Sequence, residues 1–422
     1  LIEKRRSGMK KYIASVFLLL LVFTGIGKVT LTFWHSMSDY QKPIIDRLVN
    51  DFNRSQNEIT VKAVFQGSYD DTVTKLKAAL LTGKGPDVSM INIEHLQIFT
   101  KDGSLLDLTD LLANDPAISP EDFVDNFWTT IIRDGKPYAL PFNISALMLF
   151  YNKDHFRAAG LDPDKPPRTW EEMEEYARKL TIKKPSDSRP SQYGLLWGVD
   201  AMFYQFEPLV WQNGGEIFNE DMTECVINSA EGIEALERWQ GWFLEGLSPI
   251  DLTIDEGIQS FTMGKISMGP MTSGGIRYAL ENIPWNLGVA PLPENKQRTT
   301  TLGGASLSIM SGLSDEKVKA AWTFLKWMVS EKNTLFWYEG TGYMPVKKSA
   351  MESLEIQLIW QRFPQLKAPI ESIEFARPRP VHTNIIEIRN ILYNSIEQVR
   401  KGVTEPEKAF NEAVEKVNGL LK

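Results

Sequence analysis

Four glycine-bearing turns in this chain also carry an aromatic ring or a hydroxyl: Gly67-Ser68-Tyr69, Thr272-Ser273-Gly274-Gly275, Leu302-Gly303-Gly304-Ala305-Ser306 and Thr341-Gly342-Tyr343. Glycine lets the backbone approach a small molecule and leaves N–H groups to donate, while an aromatic face packs on the C–H surface of a polyol or sugar. That is the chemistry of non-covalent capture. Thr272 to Gly275 also opens a predicted helix over 276–281, and a helix start carries partial positive charge that suits an anion. Core packing is the ordinary use of any one ring, so Trp34, Phe203, Tyr204 and Trp211 gain interest only from their loop-like settings.

Signatures of catalysis are mostly missing. The chain has no phosphate-binding Gly-x4-Gly-Lys-Ser/Thr, no Gly-x-Gly-x-x-Gly, no Gly-x-Ser-x-Gly and no His-Glu-x-x-His. Its four histidines, His35, His95, His155 and His382, have no metal-ligand spacing, and no metal or cofactor is expected. With 54 acids, chance carboxylate pairs are abundant, so a glycosidase-like pair is no signal in itself. Arg377-Pro378-Arg379-Pro380 and Arg389 are the basic residues that could face a cleft from the C-terminal helical region.

These residues need a scaffold. The 422-residue chain exceeds what one hydrophobic core usually spans, about 250 to 300 residues, so two lobes are expected. Lone Cys225 excludes an internal disulfide and a thiolate-rich metal site. A net charge of −8 repels a phosphate backbone and argues against general nucleic-acid binding.

Near the N-terminus, Met9-Lys10-Lys11-Tyr12 precedes the apolar run Ile13 to Phe23 and then Thr24-Gly25-Ile26-Gly27. A basic start, a short apolar run and small residues before a cut after Gly27 make a secretory signal, too short for the roughly 20 residues of a membrane span. Met9 is the expected start, with residues 1–8 as translated leader. No Cys lies near the apolar run, so lipid attachment is not expected. Removing 1–27 takes away Lys4, Arg5, Arg6, Lys10, Lys11 and Glu3, which moves the net charge to −12.

Strands over 29–34, 59–65 and 87–91 alternate with amphipathic stretches over 40–52 and 69–81, the pattern of a parallel α/β sheet. Ligands of such sheets sit beyond the carboxyl ends of the strands, here near Trp34 to Ser38, Gly67 to Tyr69 and Asn92 to His95. A second α/β block holds a strand over 147–151 and helices over 152–159, 170–180 and 230–243. Short strands follow over 266–268, 287–290 and 306–310, then helices over 314–330, 352–361, 384–401 and 405–421.

Taken together, these segments resemble the extracellular solute-binding proteins of ABC importers, the maltose-binding-protein-like group, and within it the sn-glycerol-3-phosphate-binding branch. The likeness covers nearly the whole chain after the signal. Its generic parts are Thr82-Gly83-x-x-Pro86-Asp87, Tyr151-Asn152-Lys153-Asp154, Ala159-Gly160-Leu161 and Pro167-Arg168-Thr169-Trp170-Glu171. More telling are Phe33-Trp34-His35-Ser36-Met37, Pro141-Phe142-Asn143-x-Ser145, Gly303-Gly304-Ala305-Ser306-Leu307 and Thr341-Gly342-Tyr343-x-Pro345.

The resemblance implies an α/β, two-lobe periplasmic-binding-protein fold of type II, with a ligand cleft between lobes and three crossings near 145–149, 265–268 and 306–311. Lobe one is then 28–145 with 268–308, and lobe two is 146–267 with 309–422. Carried over, the ligand contacts fall on Tyr69, Ser145, Thr272, Gly304, Tyr343 and Arg389, a ring of neutral donors with one cation for a phosphate. The family's Glu after the third strand falls on Glu94 with a one-residue shift. Phe203, Tyr204 or Trp197 takes the place of the family's stacking Trp.

The implied protein is a non-enzymatic, exported receptor, periplasmic or extracellular, monomeric, that hands sn-glycerol 3-phosphate or a glycerophosphodiester to membrane permease subunits. A di- or oligosaccharide receptor is the alternative within the class. A secreted carbohydrate-active enzyme is the alternative outside it.

Overall fold

The computed structural model describes residues 28–198 and 203–422. The expected leader and signal peptide, 1–27, lie outside the described residues.

Strand Val29–His35 lies parallel to and between Ile59–Phe65 and Val88–Asn92. Helix Lys42–Ser55 follows the first strand and helix Tyr69–Leu81 the second. Ser68 starts the latter with a capping box: its Oγ accepts from the Asp71 N–H (3.1 Å), and Asp71 accepts from the Ser68 N–H (2.9 Å). Two otherwise unpaired donors are satisfied, which fixes Tyr69 and Asp70 in the first helical turn beyond the second strand.

All thirteen residues of strand Leu140–Asn152 are buried, as expected where an apolar run lacks a polar face. This strand changes partners midway. Leu140 to Ala146 pair antiparallel with strand Thr300–Ile309, and Leu147 to Asn152 pair with Ile266–Thr272 and Leu287–Ala290. The change falls beside Ser145, so one strand belongs to both halves of the molecule. Opposite it, Gly304 has φ +110°, and a Cβ there would lie 1.9 Å from the Asn143 carbonyl oxygen. Only glycine fits that approach.

Two main cores result. Phe33, Phe52, Phe142, Phe324 and Trp337 belong to the first, and Trp170, Trp197, Trp211, Trp239 and Trp242 to the second. The expected lobe boundaries need correction here. Helices Asp315–Met328 and Glu331–Thr341 pack in the first core, where Phe324 meets Phe33 at 5.4 Å and Phe52 at 5.2 Å. The buried face Ala320, Ala321, Phe324, Leu325 and Met328 complements the first strand, so the chain after 308 does not pass directly to the second lobe. It leaves the first core after Ala376, through Arg377-Pro378-Arg379-Pro380, and joins the second at Ile388. Residues 268–308 are also divided: Ile276, Ala279 and Leu302 join the first core, whereas Met268, Ala290 and Leu292 join the second.

Candidate functional site

Five side chains alternate in charge across the cleft: Asp70, Arg389, Glu94, Arg379 and Glu207. Glu94 follows strand Val88–Asn92 and is 2% exposed. Its Oε2 lies 2.6 Å from Arg379 Nη1 and its Oε1 2.5 Å from Arg389 Nη1. Arg379 also donates Nε and Nη2 to Glu207 on helix Phe203–Gln212 (2.8 and 2.9 Å). Arg389, on helix Ile385–Arg400, donates Nη2 to Asp70 (2.6 Å).

Burial alone would weaken the proton affinity of Arg379, yet Glu207 and Glu94 hold its pKa above the ordinary value. Burial pushes the Glu207 carboxyl up, against the pull of Arg379. His95 is fully buried, with Nε2 3.4 Å from Asp70 and 3.6 Å from Glu94. Burial lowers its pKa despite those two carboxylates, so the ring is neutral at pH 7. Two guanidinium charges thus face three carboxylates.

Beside this chain of ions lies a cluster of hydroxyls. Asn143 donates Nδ2 to the Tyr69 hydroxyl (2.9 Å), and Tyr343 faces Gln41, Tyr69 and Asn143. Burial raises the pKa of both phenols, so they stay protonated as donors. Tyr343 lies parallel to Trp337 (6.0 Å between centroids, 14°) and against Gly274, where a Cβ would come within 2.6 Å of the ring. Arg379 lies over the Tyr204 ring (5.2 Å), and the Tyr204 hydroxyl sits beside Ser145 and against Gly303. Asn143 Oδ1 is buried without a partner, and Tyr204 Oη is buried with only the Ser145 side chain placed to bond it. Buried polar atoms are rarely left short of partners, and each of these can bond a solute.

Of the residues singled out in the sequence, Tyr69, Glu94, Ser145, Tyr204, Tyr343 and Arg389 come together. Gly304 is adjacent, and its carbonyl accepts from the Ile93 N–H (3.2 Å) in front of Glu94. Thr272 caps the turn Ser273–Gly275, accepting from the Gly274 N–H (3.4 Å) at the edge of the site. Phe203 does not join them: it is buried in the second core, with Phe206 at 6.1 Å. Trp197 is buried there too, donating Nε1 to the Gln205 carbonyl. The loop-like reading is corrected for Phe203, Tyr204 and Trp211, which lie on helix Phe203–Gln212, and for Trp34, which lies in the first strand.

Asp70, His95, Asn143 and Glu207 join the site without a sequence signal of their own as contacts, although Asp70 follows Tyr69 and Asn143 lies in the Pro-Phe-Asn-x-Ser segment. Arg379 was visible only as half of an Arg-Pro-Arg-Pro run. Its neighbour Arg377 turns the other way, pairing with Glu216 (2.9 and 2.8 Å) over the Trp211 ring. Among the described residues, no group of His, Cys, Asp and Glu is placed to hold a metal ion, and no helix is long and apolar enough to cross a membrane.

Residues 35–335 match the family model of the bacterial extracellular solute-binding proteins. The chain is 26% identical to the sn-glycerol-3-phosphate-binding periplasmic protein UgpB of Escherichia coli (strain K12) over 429 residues, covering 97% of each chain. UgpB of Pectobacterium atrosepticum is 25% identical over 411 residues, covering 93% of this chain and 91% of that one. Among solved structures, the cyclic alpha-maltosyl-1,6-maltose binding protein of Arthrobacter globiformis superposes with a TM-score of 0.80 at 25% identity, covering 94% of this chain and 100% of that one. UgpB of Mycobacterium tuberculosis, in complex with glycerophosphocholine, superposes with a TM-score of 0.83 at 22% identity, covering 94% and 98%. With a two-lobe fold, a polar cleft and a family match over most of its length, this chain belongs to the bacterial extracellular solute-binding protein family.

Proposed function

We propose that this protein is the exported, non-enzymatic receptor of an ABC importer, a monomer that closes on a glycerol phosphoester and delivers it to membrane permease subunits. The solute is sn-glycerol 3-phosphate or a glycerophosphodiester. The observation that carries this reading is Arg389, which reaches from helix Ile385–Arg400 to Glu94 and Asp70 across the cleft. Its Asp70 partner is half exposed and displaceable, whereas Glu94 is buried and held by Arg379 on one oxygen and Arg389 on the other. Tyr69, Ser145, Tyr204 and Tyr343 supply neutral donors, and the relatives 25–26% identical over nearly the whole chain are sn-glycerol-3-phosphate-binding proteins.

Calorimetric titration with sn-glycerol 3-phosphate, glycerophosphocholine, maltose and trehalose tests this. Saturable binding of a phosphoester is expected, with compaction in solution scattering as the lobes close. Binding of the neutral sugars alone would overturn it.

A neutral di- or oligosaccharide is the second reading, and one observation favours it. Both site arginines are already matched by carboxylates, which leaves no excess positive charge for an anion, and relatives with this fold at 25% identity bind cyclic sugars. A hydrolase is disfavoured because Asp70, Glu94 and Glu207 all engage guanidinium groups, so none stands free as a general acid. Release of chromophore from chromogenic glycosides would reverse that judgement.

A further inference from the structure

Arg389 presents its two terminal nitrogens to carboxylates of different standing. Nη1 meets Glu94, whose side chain is 2% exposed and whose other oxygen is fixed by Arg379. Nη2 meets Asp70, whose side chain is 52% exposed. Asp70 lies in the first turn of helix Tyr69–Leu81, but Ser68 and Asp71 perform the capping, so the helix start does not need its carboxylate. The carboxylate instead points at two cleft residues, Arg389 and His95.

We propose that Asp70 is a built-in anion that competes with the solute's phosphate for Arg389, and so sets both affinity and selectivity for phosphoesters. The proposal rests on the reading of Arg389 as the phosphate-holding cation. A phosphate can take Arg389 Nη2 only by breaking its pair with Asp70. An Asp70 carboxylate left beside a bound phosphate also repels it. An exposed ion pair is worth little, so the phosphate can displace Asp70 rather than be shut out by it. Glu94 cannot yield in this way, because its removal would leave Arg379 short of a partner.

The test uses the full-length protein, with Asp70→Asn removing the charge and Asp70→Glu keeping it. Each is titrated with sn-glycerol 3-phosphate and with maltose, after a urea melt has shown that the variant is folded. Asp70→Asn is expected to bind glycerol 3-phosphate at least about fivefold more tightly than wild type, and Asp70→Glu to stay within about twofold. Binding by Asp70→Asn where wild type shows none also supports the proposal. If wild type binds glycerol 3-phosphate and Asp70→Asn binds it no better, the competition is refuted and the phosphoester reading stands. Equal tightening for maltose would show a general effect on closure and would likewise refute it. If neither form binds glycerol 3-phosphate, both readings fall together.

Discussion

Arg379 meets Glu207 side-on, with Nε and Nη2 donating to the two carboxylate oxygens at 2.8 and 2.9 Å, and the side chains are only 8% and 3% exposed. Among the described residues, Arg379 is the sole guanidinium paired with Glu207 and one of two paired with Glu94. A buried pair contributes little net stability, but breaking one side leaves an uncompensated charge in a poor solvent. Arg379→Ala is therefore expected to cost about 3–5 kcal/mol, read as a lower urea midpoint at pH 7. A loss below about 1 kcal/mol would mean that water already reaches Glu207.

Gly274 and Tyr343 are a second coupled pair. A Cβ on Gly274 would stand 2.6 Å from the Tyr343 ring, and the parallel Trp337 limits where that ring can go. Gly274→Ala should push the Tyr343 hydroxyl away from Tyr69 and Asn143. Overpacking of this kind costs about 1–3 kcal/mol of stability, and solute affinity should fall about tenfold or more because the donor is misplaced. Calorimetry and a melt on the same sample separate the two effects. Unchanged affinity would place Tyr343 outside the binding surface.

Acid should weaken the fold through histidine. His35 is 1% exposed, its Nδ1 accepts from the Met37 N–H (3.3 Å), and burial lowers its pKa from 6.5 to about 4. The unfolded chain takes up this proton first, so the stability present above pH 6.5 is lost as pH falls toward 4. The share of His35 is about 1.4 kcal/mol per pH unit at most, or about 3 kcal/mol over the window. His95 shifts in the same direction for the same reason. Urea midpoints at pH 7 and 4.5 should therefore fall less in His35→Gln than in wild type. Parallel curves would show that His35 is already charged in the fold.

Particular elements show why some of this was legible and some was not. Helix Trp170–Leu180 could be read to the residue because Thr169 caps it and Trp170, Met173, Ala177 and Leu180 recur on one face. Strand Ile59–Phe65 was as clear, because it is rich in β-branched residues and Ile59 and Val61 alternate with Thr60 and Lys62. Helix Phe203–Gln212 was not legible: nine of its ten residues are buried and Pro208 lies inside, so no periodicity survives. Helix Glu331–Thr341 hid behind Asn, Thr and aromatic residues of modest helix propensity, although Ser330 caps it and left-handed Gly342 ends it. In the site, glycine punctuation pointed to Tyr69 and Tyr343. The Arg379–Glu207 pair spans 172 residues and left no local trace, because topology alone brings its halves together.

Arg389 offers the sharpest separation of phosphoester from neutral sugar. If it holds a phosphate in a closed, partly dry cleft, Arg389→Ala leaves the anion without its cation. The expected loss is on the order of 2–5 kcal/mol, at least tenfold in affinity for sn-glycerol 3-phosphate. Arg389→Lys should rescue only part of this, since an ammonium keeps the charge but cannot span Glu94 and the phosphate with a planar fork. Binding by wild type should also weaken with added salt, because ions screen the attraction. For a neutral oligosaccharide the truncation removes hydrogen bonds alone, and salt should change little. A complication is that the same truncation frees Asp70 and Glu94 from their partner, which adds repulsion toward an anion and none toward a sugar. The double variant Asp70→Asn with Arg389→Ala removes part of that repulsion and should recover some phosphoester affinity without reaching wild type. Equal affinity of wild type and Arg389→Ala for glycerol 3-phosphate would leave the sugar reading as the better account of the cleft.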